Sequence, residues 1–458
     1  MNHEEQFARI AALRPARGRQ SPAPREPEAA GLGGRLAELL GARVNRNHFG
    51  EHLSLQQWFA SPEMCRPDAR SLSLLLPASA DAAECANAAI DPDEWLFLDT
   101  ETTGLAGGTG TYAFMVGIAW WDAGGLQVEQ FFLRDLDEEH SLLLELSERM
   151  EQRPVLVTFN GKSFDWPLLE TRYRMTRSVP AFSPKLHLDL LHPARQLWRL
   201  RLGSVRLKDL ERHVLGGEGR GLDWSRHEDI DSSLIPQMYF DYLRGGPAEP
   251  LVGIFRHNQM DLRGLAALAG EILALLDTGN GIATADGAET RDPIEVLGLS
   301  RILRKRGHTT RARELYETAL HFGLPRPVER LAQRELAQLA KRELDYRRAI
   351  SLWDALRQAP SASANATQRN EAPPLAEEAQ KALESAIEAA EQLAIYYEHR
   401  AKEPRRALDL MRAAIAELQA AQRNEIFTKE SAGKIETRLT RRVKRLEDRV
   451  GRASACRF

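Results

Sequence analysis

At 458 residues the chain exceeds what one compact core accommodates, so two or three domains are expected. Its 43% hydrophobic and 28% charged residues suit a soluble protein, and a net charge of -3 supplies no global attraction for a polyanion while leaving room for local basic patches. Cys65, Cys85 and Cys456 are far apart and odd in number, which argues against a disulfide scaffold or a close-set zinc site and suits a reducing compartment. No apolar stretch approaches the roughly 20 residues that span a bilayer, and the N-terminus carries acids and arginines, so no membrane partner and a cytoplasmic location are expected.

Residues 1–32, rich in Arg, Pro, Ala and Glu, read as a disordered arm. Residues 33–92 form a lead-in segment, with a short helical pattern through Leu36, Leu39 and Leu40 and a turn at Asn47-His48-Phe49-Gly50. From residue 93 the order is strand (Trp95 to Asp99), strand (Tyr112 to Trp121) and strand (Leu126 to Leu133), with Asp122-Ala123-Gly124-Gly125 as a hairpin turn. A helix follows at Glu138 to Met150, then a short apolar run at Pro154 to Phe159 and a helix that Pro167 can join in its first turn. The expectation for 93–276 is an α/β domain with a mixed sheet flanked by helices.

Residues 277–290 are Gly, Ala, Thr and Asp-rich and read as a linker, and the remainder is helical in composition. Ala312, Leu315, Tyr316 and Ala319 recur in kind as Ala349, Leu352, Trp353 and Leu356, and again as Ala407, Leu410, Met411 and Ala414. The first two copies lie 37 residues apart, near the roughly 34-residue tetratricopeptide period. We therefore expect an all-α, tetratricopeptide-like domain over 291–422 with an insert at 358–375, able to bind a protein partner, then a basic C-terminal helix or tail over 423–458.

Three segments carry candidate chemistry. In Trp95-Leu96-Phe97-Leu98-Asp99-Thr100-Glu101 the i, i+2 spacing on a strand puts both carboxylates on one face. Asn160-Gly161-Lys162-Ser163-Phe164-Asp165 ends a second strand, where Asp165 is either a ligand or the N-cap of the next helix. His257 and Asp261 stand one helical turn apart, and a histidine beside a metal-bound water suits a general base. Two hard cations roughly 4 Å apart, Mg²⁺ or Mn²⁺, would match four carboxylates engaged in phosphodiester hydrolysis.

The order Asp-x-Glu-Thr-Thr-Gly-Leu, Asn-Gly-Lys-x-Phe-Asp, His-x-x-x-Asp resembles the motifs of the DnaQ-like (DEDD) exonucleases of the ribonuclease H-fold superfamily, and is most similar to their YprB-like branch. The resemblance covers about residues 93–275. It implies a ribonuclease H-like fold, two metal ions on Asp99, Glu101, Asp165 and Asp261, and contacts from Thr103, Gly104 and Leu105 to a terminal nucleotide, with Asn160 beside them. One departure stands out: the family places a histidine five residues before the last aspartate or a tyrosine four before it, whereas here Arg256 is five back and His257 four back.

Residues 172–226 hold twelve Lys or Arg against five Asp or Glu, with Trp198 and Trp224 interleaved. A basic groove with aromatic platforms suits single-stranded DNA or RNA, and Lys208 is the first basic residue to test. The run Arg441-Arg442-Val443-Lys444-Arg445 reads as a solvated helix face. The leading expectation is a metal-dependent nuclease trimming single strands in the 3′-to-5′ direction; the competing one is a nucleic-acid or protein-binding scaffold whose fold has lost turnover.

Overall fold

The computed structural model describes residues 29–60, 66–75, 91–104, 108–177, 179, 183–216, 224, 226, 229–277, 292–358, 373–424 and 426–455. The expected arm up to residue 28, the linker beyond residue 277, most of the insert, Leu105 and the three cysteines lie outside them. The chain divides into two compact units, Met1–Ala288 and Glu289–Phe458.

The first unit is built on one seven-stranded sheet in the order β1-β2-β5-β4-β3-β6-β7, where β1 is Arg43–Asn47, β2 Gly50–Phe59, β3 Trp95–Thr102, β4 Ala113–Asp122, β5 Gly125–Phe132, β6 Val155–Thr158 and β7 Leu186–Asp189. Thus the lead-in segment is part of the same sheet, because β2 pairs antiparallel with β5 from Leu53 to Phe59. β3 lies between an antiparallel neighbour, β4, and a parallel one, β6, which is paired in parallel with β7. The β4–β5 hairpin closes through Ala123 (φ 47°) and Gly124 (φ 83°), the positive angles that a two-residue type I′ turn requires.

Alternation along β3 assigns its two faces. Leu96 and Leu98 join the core with Leu142, Leu143 and Leu146 of helix α2 (Glu139–Gln152) and Leu168 and Leu169 of α3 (Asp165–Thr176). Trp95 and Phe97 take the other face, where Phe97 meets Trp121 edge-on at 4.8 Å, and Asp99 and Glu101 continue that face. The long helix α7 (Leu251–Asp277) covers it with buried Asn258, Leu262 and Leu265. Between α3 and α7 the chain forms α4 (Leu191–Leu202), the short α5 (Leu207–Leu210) running into a π-helical turn (Glu211–Leu215), and α6 (Ile235–Leu243). α1 (Ala29–Leu40) precedes the sheet and buries Leu36.

The second unit is helical: α8 (Pro293–Lys305), α9 (Thr309–Phe322), α10 (Arg326–Arg342), α11 (Tyr346–Arg357), α12 (Pro373–His399), α13 (Pro404–Arg423) and α14 (Lys429–Ala455). Consecutive helices pack as antiparallel neighbours because three or four residues join α8 to α9, α9 to α10, α10 to α11 and α12 to α13. The recurring apolar sets lie on α9, α11 and α13 and are buried except for Leu410, whose place is shared with buried Leu408. No helix among the described residues is long and apolar enough to cross a membrane.

Candidate metal centre

The centre draws on the end of one strand, the start of one helix and the interior of another. β3 brings Asp99 and Glu101, and a shift of register between Glu101 and Thr102 ends regular pairing with β4 just there. α3 opens at Asp165, but the cap position is Phe164 and makes no side-chain cap bond. The Asp165 carboxylate instead accepts from Thr100 Oγ1 of β3, so the capping alternative gives way to a link between the first two segments. The turn before it is held by β7: Asp189 accepts from the backbone N–H of Asn160 at 2.8 Å and of Lys162 at 3.2 Å. Asn160 takes φ 67°, an angle its short amide side chain tolerates.

α7 supplies three successive contributions. Asn258 is fully buried and donates from Nδ2 to Asp99 Oδ2 at 2.8 Å, while its Oδ1 accepts from Gln130 Nε2 at 2.8 Å, which fixes the orientation of the amide. His257 is buried, its Nε2 lying 3.6 Å from Asp261 Oδ2 and 3.9 Å from Glu101 Oε1. Potential ligand atoms of Glu101, His257 and Asp261 all fall within 4.8 Å of one another. Thus the structure brings Asp99, Glu101, Asp165, Asp261 and His257 to one place, with Asn160 in the adjoining turn. Arg256, on the helix face beside them, is exposed.

The electrostatics of this place are those of crowded anions. Burial pushes the Asp99 carboxyl well above its ordinary range, and Asp261, Asp165 and Glu101 push it further, against the bond from Asn258. Burial does the same to Glu101, with Asp261, Asp165 and Asp229 adding to it. Asp165 is raised to about 6, chiefly by burial, although the Thr100 hydroxyl opposes the shift. Hard carboxylate oxygens that repel one another in a half-buried site fit a hard divalent cation, and no thiolate stands among the described ligands to favour a soft one.

Besides Asn258, three further participants were missed by sequence reasoning. Asp229 Oδ1 lies 2.6 Å from His257 Nδ1, Arg226 donates to Asp261, and the same guanidinium makes two 2.6 Å bonds to Glu211, which is fully buried. Asp229 and Arg226 come from an irregular stretch with no periodicity, so no pattern announced them. Glu211 sat in a basic stretch and read as one of its few counter-charges. Gly264 was the available hint: a Cβ there would stand 1.9 Å from Glu211 Oε1.

The binding residues fare unevenly. Thr103 is buried and bonded to Tyr112 in both directions, its N–H to the Tyr112 carbonyl and its Oγ1 from the Tyr112 N–H, so its side chain braces the loop; Gly104 follows it and its carbonyl accepts from Thr102 Oγ1. Buried Arg172 holds the far end of that loop through the Thr109 carbonyl while pairing with Glu139. Trp198 is fully buried and Trp224 nearly so, hence neither is a stacking platform. Arg172 and Arg226 likewise spend their charge internally, whereas Lys208 is exposed on α5. In the second unit the C-terminal basic run is not simply solvated: Arg445 and Arg449 donate to the buried Glu398 of α12 at 2.6 and 3.0 Å.

A mixed sheet with an acidic cluster at the end of the interior strand β3 defines the class, and the comparisons agree. Residues 96–273 match the RNase_H superfamily, and the protein carries a domain of that superfamily there. The chain is also similar to the uncharacterized protein YprB of Bacillus subtilis (strain 168), 36% identical over 173 residues, 38% of this chain and 40% of that one. It therefore spans well under half the length of that relative.

Proposed function

We propose that the first unit is a metal-dependent DEDD-type nuclease that hydrolyses phosphodiester bonds of single-stranded DNA or RNA, acting as a 3′-to-5′ exonuclease by a two-metal mechanism. The observation that carries this reading is the nearness of Asp99, Glu101, Asp165 and Asp261, from three separate segments, close enough to raise one another's carboxyls, with Glu101 and Asp261 also facing Nε2 of His257. The four carboxylates would hold two Mg²⁺ or Mn²⁺ ions. When bound, such ions activate water and stabilise charge on the leaving oxygen.

The chain's own groups do the rest. Asn258 fixes the Asp99 carboxylate, Thr100 fixes Asp165, and Arg226 takes Oδ1 of Asp261, leaving Oδ2 toward His257. His257 Nε2 is placed to accept the proton of the attacking water. Thr103, Gly104, Leu105 and Asn160 would line the terminal nucleotide, and exposed Lys208 would meet the phosphates leading to it. We further propose that the helix pairs of the second unit form a tetratricopeptide-like stack that binds a protein partner, and that the protein works in the cytoplasm.

End-labelled single-stranded DNA and RNA, incubated with Mg²⁺, Mn²⁺ or chelator, test the reading. The expected result is cation-dependent shortening of the strand from its 3′ end, abolished by Asp99→Ala with melting behaviour of a folded protein. No cation-dependent product from either substrate would leave the scaffold reading in its place.

A further inference from the structure

The His257 ring is oriented from behind by groups outside the four acids. Nδ1 faces Asp229 Oδ1 at 2.6 Å, and Nε2 faces the site, with Ser232 Oγ at 3.3 Å, Asp261 Oδ2 at 3.6 Å and Glu101 Oε1 at 3.9 Å. An ionised carboxylate only accepts hydrogen bonds, so the short bond to Asp229 places a proton on Nδ1 and leaves Nε2, in the neutral ring, as the acceptor.

Asp229 is itself held by Arg226, whose NH1 stands 3.2 Å from Asp229 Oδ2. The Arg226 side chain is 7% exposed, and its fork also serves Glu211 and Asp261. Its backbone takes φ 51°, a conformation that is costly for a non-glycine residue and persists only when its surroundings impose it. Glu211 supplies that imposition, since it is clamped against the bare backbone of Gly264 on α7. Glu211 alone could satisfy a structural arginine with its two bonds. The two additional carboxylates that Arg226 reaches are the one behind His257 and the one in front of it.

We infer that Asp229 and Arg226 are positioning residues: Asp229 sets the His257 tautomer so that Nε2 faces the reacting water, and Arg226 fixes Asp229 and Asp261 relative to each other. The inference rests on the hydrolytic reading above. Without Asp229 the remaining acceptors for the ring proton, Ser232, Asp261 and Glu101, all face Nε2, so the proton moves to Nε2 and the base is lost.

The test uses the full chain with ¹⁵N-labelled histidine at pH 8.5, where multiple-bond correlation spectra report which ring nitrogen carries the proton. Wild type is expected as the Nδ1–H form and Asp229→Ala as mainly Nε2–H. In cleavage assays Asp229→Ala and Arg226→Lys are expected to lower kcat roughly 100-fold, with little change in KM. A wild-type ring protonated on Nε2 overturns the inference without any variant, as does an unchanged tautomer in folded Asp229→Ala. If wild type cleaves nothing but its tautomer depends on Asp229, the nuclease reading fails while the orientation of the ring by Asp229 stands.

Discussion

The amide oxygen of Asn258 occupies the space that a side chain on Gly117 would need: a Cβ at Gly117 would lie 2.1 Å from Asn258 Oδ1. Gly117 is the residue on β4 paired across from Asp99, so the missing side chain is what lets α7 approach β3 closely enough for its amide to grip the Asp99 carboxylate. Gly117→Ala is expected to displace Asn258, to cost about 1–3 kcal/mol as overpacking of a tight core does, and to weaken cation binding. Urea unfolding and Mn²⁺ titration calorimetry of the variant check both effects; unaltered cation affinity would separate Asn258 from the metal centre.

Gly264→Ala offers a test of sign. In an exposed helix the change stabilises by up to about 1 kcal/mol. On α7 the added Cβ would stand 1.9 Å from Glu211 Oε1, and burial already raises the Glu211 carboxyl to about 7, opposed by Arg226. Loosening that pair leaves buried charge imperfectly paired, so the expected outcome is destabilisation, read as a lowered urea midpoint. A midpoint at or above wild type would show that Glu211 relocates freely.

The raised carboxyls of Asp99, Glu101 and Asp165 fix a pH dependence. Free carboxyls ionise near pH 4, whereas these keep their protons longer when folded. Their contribution is therefore fully present below the unfolded pKa and is lost as pH rises through the raised folded-state value of each, about 6 for Asp165. Asp229, held low in the fold by His257 and Arg226 despite burial, acts oppositely, and its stabilisation fades only in acid. In chelator the melting temperature should fall between pH 5 and 8. A divalent cation at about 100 times its Kd should restore roughly 5–10 °C at pH 8, and much less at pH 5, where protons occupy the oxygens. Thermal scans of wild type and Asp99→Asn check this; equal cation responses at both pH values would contradict it.

Lys208 and Trp198 should part company in their effects. Removing one phosphate contact with Lys208→Ala is expected to reduce the salt slope of single-strand binding by roughly 0.7 and leave stability unchanged. Trp198→Ala removes a fully buried indole and should cost about 3–5 kcal/mol, without altering the salt slope of the protein that stays folded. Fluorescence anisotropy over a salt series, with parallel melts, distinguishes the two.

What the sequence disclosed follows from the range of the forces involved. Strand alternation placed Asp99 and Glu101 on one face, and the i, i+4 relation placed His257 beside Asp261, because both depend on residues close in the chain. The same local reading could not separate a buried tryptophan from an exposed one: Trp198 and Trp224 sit among charged residues yet face inward, a choice made by tertiary packing. Nor could it find Arg226 and Asp229, whose partners lie as far away as Asp261 and His257 and whose backbone follows no repeating pattern. β1 and β2 were set apart from the domain because the pairing of β2 with β5, which brings β1 with it, joins segments about 70 residues distant.

The two rims of the sheet bear on how the protein behaves when crowded. β1 is five residues long and carries Arg43 and Arg46, both exposed, while β7 is four residues long and ends at Asp189, which turns its carboxylate back onto the amides of its own chain. Short, charged rims make poor templates for strand addition. The strand that carries Asp99 and Glu101, β3, is thus four strands from the β1 rim and two from the β7 rim in a sheet that resists being extended by another copy of itself. An acidic centre built on mutual repulsion can then reside in a β-sheet at high concentration without that sheet becoming a seed for aggregation.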